Sequence, residues 1–100
     1  MTEQTINEIL KRFSGYMGKP LDELKYTSSF IRGVLANYDV ADLDNLRSAL
    51  NHAIAETPIY CLWKVQEELP IYSGSTSLLC KYLSAFIGNS MISAGAFYGF

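Results

Sequence analysis

Residues 39–70 read DVADLDNLRSALNHAIAETPIYCLWKVQEELP, and the fold turns on how this stretch divides. Val40, Leu43, Leu46, Leu50, Ala53 and Ile54 recur at i, i+3, i+4 and i+7, the stripe of an amphipathic helix, with Asp39 or Asp42 placed to cap it. Thr57 and Pro58 then offer a cap and a first-turn proline, so a second helix restarts almost without a loop and the pair forms a tight corner or hairpin. The second helix, Ile59 to Leu69, carries the only tryptophan, Trp63, and is apolar nearly all round before Pro70 stops it. A helix of that kind is expected to be covered on most sides, with the flanking segments as its cover.

Outward from there, the same signals continue in both directions. Upstream, Thr2 can cap a helix whose face is Ile6, Ile9, Leu10, Phe13 and Met17, ended by Gly15 and Gly18. Pro20 with Asp22 and Glu23 predicts a short helix to Tyr26, and Thr27, Ser28 and Ser29 offer fresh caps for a third segment from Phe30 to Tyr38. Downstream, residues 71–75 read as a loop, and Ser75 or Ser77 caps a helix through Leu78, Leu79, Tyr82, Leu83, Phe86 and Ile87, closed by Gly88 and Asn89. Residues 90–100 fit a helical turn, a strand or an apolar tail containing Phe97, Tyr98 and Phe100. The expected fold is all-α: one domain over residues 1–100, a compact bundle of five or six short helices.

Composition narrows function. An apolar fraction of 49% against 18% charged residues describes a folding globular chain. A net charge of −2 argues against nucleic-acid binding, which rests on lysine and arginine neutralising phosphates. The opening Met1-Thr2-Glu3-Gln4 has neither the basic nor the apolar part of a secretory signal, so a cytoplasmic location is expected. In that compartment Cys61 and Cys80 read as reduced, buried thiols, with a bridge between them as the alternative. All ten acidic residues lie at or before Glu68, and beyond it the only charge is Lys81, so the C-terminal third is core, interface or membrane. A membrane span over residues 78–100 is disfavoured by Lys81, Asn89, the serines and the glycines.

Chemistry-bearing motifs are scarce. Asp39, Asp42 and Asp44 lack the glycine and closing glutamate of a calcium loop and read as caps and dipole partners. His52 lies off its stripe with Glu56 one turn on, the spacing of a surface ion pair. With one histidine and two cysteines on apolar faces, no nucleophile–base constellation, metal set or cofactor motif is indicated, and the chain is not expected to be an enzyme. Glu67 and Glu68 stand at a helix C-terminus, where negative charge is mildly unfavourable, which hints at an external basic partner. Seven tyrosines add a second hint of protein contact.

These features point to a small cytoplasmic protein-binding module. The leading form is an inhibitor of the general style of toxin-immunity proteins and phage-encoded inhibitors, with no motif shared with either. It would mask a basic surface or active site through Asp39, Asp42, Asp44 and Glu56, or through Glu67, Glu68 and Tyr72. The alternative is a structural or regulatory homo-oligomer assembled through the weakly charged C-terminal third.

Overall fold

The computed structural model describes residues 1–69 and 75–96, and every described element is helical. Five α-helices and one 3-10 turn follow one another: α1 (Glu3–Met17), the 3-10 turn (Leu21–Leu24), α2 (Lys25–Asn37), α3 (Leu43–Glu56), α4 (Ile59–Glu68) and α5 (Thr76–Ser93). The expected all-α bundle is therefore the fold. Three N-termini form as the sequence predicts, because a side-chain oxygen meets an otherwise orphan amide. Thr2 accepts from Thr5 N (3.2 Å), Asp42 from Asn45 N (2.8 Å) and Ser75 from Leu78 N (3.1 Å). Gly18, at φ 65°, closes α1 in the left-handed conformation that glycine adopts without penalty, whereas Gly15 lies inside the helix.

Across the molecule the helices are ordered α3, α5, α1, α2, α4, with α2 also touching α3. The last helix in the chain is thus interior, packed between α3 on one side and α1 on the other. Leu79, Leu83, Ile87 and Met91 of α5 are fully buried, and this accounts for the near absence of charge in the C-terminal third. Phe86 anchors the α1–α5 contact by meeting Phe13 edge-on at 6.1 Å and stacking obliquely on Tyr82 at 4.6 Å. Ser84 and Ser90 tolerate burial in α5 because their hydroxyls donate to the carbonyls of Cys80 (2.7 Å) and Phe86 (2.9 Å) one turn back.

Three local expectations are corrected, and one left open is decided for residues 90–96. Gly88 does not end α5; it is the point where α5 meets α3, since a Cβ there would lie 3.1 Å from Leu43 Cδ1. Residues 90–93 continue that helix before a turn at Gly95, while Phe97, Tyr98 and Phe100 lie outside the described residues. Thr27, Ser28 and Ser29 sit inside α2, which continues directly from the 3-10 turn. Thr57 closes α3 instead of opening α4, its hydroxyl donating to Ala53 O (2.6 Å). The stop expected at Pro70 and the loop at 71–74 also lie outside the described residues.

The largest correction concerns α4. It does not pack along α3, and it is not covered on most sides: it lies at the margin of the described residues, packed mainly on α2 and the 3-10 turn. Leu62, Val65 and Gln66 face inward, with Leu69 just beyond the helix, a spacing of i, i+3, i+4 and i+7. The opposite face is left to solvent.

Candidate functional site

Ile59, Tyr60 and Trp63 occupy that outward face, with relative exposures of 63%, 64% and 55%. On a helix, positions i, i+1 and i+4 share one side, so the three side chains form a continuous apolar strip along the first turn and a half of α4. Glu56 precedes the strip at the end of α3, and Glu67 follows it, paired at 3.7 Å with Lys64 one turn back. This aromatic strip escaped the reading of the sequence because α4 is apolar on both faces, so periodicity alone could not say which face is inward. The available signal was the charged pair Lys64 and Glu67, each one turn on from Tyr60 and Trp63, which marks that side as the outward face.

The sequence-predicted acidic positions do not converge. Asp44 and Glu56 stand at opposite ends of α3, about 18 Å apart along the axis and roughly a third of a turn apart around it. Asp42 is committed to capping α3, Asp44 approaches Arg47 at 3.7 Å, and Asp39 is exposed beside them. Glu56 belongs to a separate cluster. Its carboxylate lies 3.4 Å from His52 Nε2 and accepts from the Tyr38 hydroxyl at 3.4 Å, while the Tyr38 and His52 rings meet edge-on at 5.6 Å. Burial, reinforced by the Glu56 charge, raises the Tyr38 hydroxyl above its ordinary pKa of 10.0. The expected His52–Glu56 pair is thus present, with the histidine facing a carboxylate and a phenol.

Glu68 has an internal role that the sequence did not reveal. Its two carboxylate oxygens accept from Tyr26 N (2.8 Å) and Thr27 N (2.6 Å), the second and third amides of α2. The residue preceding α2 is Leu24, which has no side-chain acceptor, so a glutamate more than forty positions away supplies the missing cap. The negative charge at the end of α4 is therefore balanced by the positive end of α2. Lys19 Nζ adds a longer contact to Glu68 O at 3.4 Å. The supposed need of Glu68 for an external cation disappears; Glu67 remains exposed, and Tyr72 lies outside the described residues.

Cys61 is half-buried on α4, Cys80 is buried on α5, and both are free thiols. Among the described residues no group of histidine, cysteine and carboxylate side chains is arranged to hold a metal. No helix among them is long and apolar enough to cross a membrane. Comparison with protein-family models, with curated proteins and with solved structures gave no match for this chain.

Proposed function

We propose that the protein is a non-enzymatic protein-binding module whose docking element is the outward face of α4, and that its partner is another protein offering an apolar groove with a basic margin. The observation that carries this reading is the joint exposure of Ile59, Tyr60 and Trp63 on one helix face. Tryptophan and tyrosine dominate interface energetics because they bring large apolar area, few rotamers and a hydrogen-bonding tip. An exposed strip at helical spacing suits a helix laid into a groove. Glu56 and Glu67 at its two ends, on a chain of net charge −2, favour arginine or lysine around that groove. Occupying the mouth of a basic active site in this way would make the protein an inhibitor of toxin-immunity or phage-inhibitor type, acting in the cytoplasm. The alternative homo-oligomer rested on the sparse charge of the C-terminal third, and burial of α5 within its own chain supplies a sufficient reason for that scarcity.

The test compares capture from source-cell lysate by N-terminally tagged wild type, by the double variant Tyr60→Ser with Trp63→Ala, and by Asp44→Asn as a control away from α4. A stoichiometric partner held by wild type and Asp44→Asn, lost by the double variant and shed as salt rises, is the expected result. Equal retention by the double variant, or recovery of the bait alone from all three, overturns the proposal.

A further inference from the structure

Where α3 and α5 diverge from their contact at Gly88, they bound a groove of about 520 Å³, within the range of small-molecule sites. Its polar lining is one-sided in charge. Arg47 and Asn51 come from α3, and Ser77, Lys81 and Asn89 come from α5; no carboxylate lines the groove, although the chain has ten. Arg47 has only an exposed 3.7 Å contact with Asp44, of the kind that contributes little. Lys81 is the sole charge beyond Glu68, and among the described residues it forms no ion pair. The rest of the lining is apolar or small: Leu43, Cys80, Ser84, Ala85, Gly88 and Ile92.

From this arrangement we infer that the α3–α5 groove binds a small organic phosphate, its phosphate group between Arg47 and Lys81 and its apolar body on the adjoining apolar lining. Two cations from facing helices match a group that carries between one and two negative charges near neutral pH and presents three acceptor oxygens. The guanidinium fork of Arg47 fits two of those oxygens, Lys81 acts as a point charge, and Asn51, one turn from Arg47, is a neutral donor beside them. A groove walled by helices concentrates the field of its cations, so an anion is drawn in even though the chain as a whole is acidic. The site is separate from the outward face of α4, which lies at the opposite margin of the helix order.

Phenyl phosphate is the probe, titrated into the isotope-labelled full chain and followed by amide and side-chain NMR shifts, with inorganic phosphate and phenol as parallel arms. Saturable shifts centred on Arg47, Asn51 and Lys81 are expected, with phenyl phosphate binding more tightly than either fragment. Arg47→Gln and Lys81→Gln, both at exposed positions, should each weaken binding about tenfold while the rest of the spectrum reports an intact fold. Non-saturating shifts, shifts scattered over other surfaces, or an unchanged midpoint in both variants would overturn the inference. Equal binding of inorganic phosphate would overturn the assignment of an organic ligand.

Discussion

Replacing Glu68 with alanine should destabilise the fold far more than replacing its neighbour Glu67. The Glu68 carboxylate holds the amides of Tyr26 and Thr27 at 2.8 and 2.6 Å, and α2 has no other side-chain cap. Tyr26 is exposed, so water can replace the lost acceptor at its amide, and that part of the effect is small. Thr27 is fully buried, and an amide stranded there forfeits about 1–2 kcal/mol. With the lost charge–dipole attraction added, the expected total for Glu68→Ala is about 2 kcal/mol. Glu68→Gln keeps one neutral acceptor and should lose about half as much. Glu67, exposed and paired loosely with Lys64, should lose less than about 0.5 kcal/mol on replacement by alanine. Urea unfolding followed by circular dichroism at constant slope measures all three, and in thermal melts the Glu68→Ala midpoint should fall by about 8–16 °C. Amide exchange at Thr27 should accelerate in the variant. Equal losses for Glu67→Ala and Glu68→Ala, or a loss below about 0.5 kcal/mol for Glu68→Ala, would refute the capping argument.

Gly33 lies in the interior of α2 with open space where a Cβ would stand, so Gly33→Ala should stabilise the protein by about 0.8–1 kcal/mol in the same urea assay. The Thr27 hydroxyl is buried without a hydrogen-bond partner among the described residues, and Thr27→Val should raise stability by about 1 kcal/mol; a loss of that size would mean that the hydroxyl is satisfied after all. Trp63→Ala should cost about 1–2 kcal/mol, less than truncation of a fully buried aromatic because over half of the residue lies in solvent, and the fluorescence of the single tryptophan in the wild type should be quenched by acrylamide far more readily than that of a core tryptophan. Burial raises the Tyr82 hydroxyl above the ordinary value of 10.0, and Tyr38 is raised as well, so in both cases folding favours the neutral phenol. The unfolded chain therefore ionises first: this contribution to stability is complete below pH 10 and is lost as pH rises through the folded values, so the melting temperature should drop in that window and drop less steeply in Tyr82→Phe.

The sequence by itself determined that the chain is helical, where most helices lie, and most of the residues of α1 and α3 that face inward; in α5 it placed Leu79, Leu83 and Ile87 inward correctly but also Leu78, which is exposed. Those properties are set by contacts within three or four residues: apolar spacing along one face, a cap such as Thr2, Asp42 or Ser75, and a left-handed glycine at Gly18. The tertiary structure alone decided what depends on contacts across the chain. Periodicity could not orient α4, apolar on both faces; its position at the margin left Ile59, Tyr60 and Trp63 exposed. Gly88 looked like a helix end because a glycine stop and a glycine at a helix crossing are the same letter, and only the approach of Leu43 distinguishes them. The start of α2 was misplaced because its cap, Glu68, lies more than forty residues away, beyond the reach of any local pattern. The acidic positions were legible one by one, as was the His52–Glu56 pair, yet helix geometry separates Asp44 from Glu56, and packing brings Tyr38 to that pair instead. The groove between α3 and α5 was equally invisible, since Arg47 and Lys81 come to line one groove only when α5 packs beside α3.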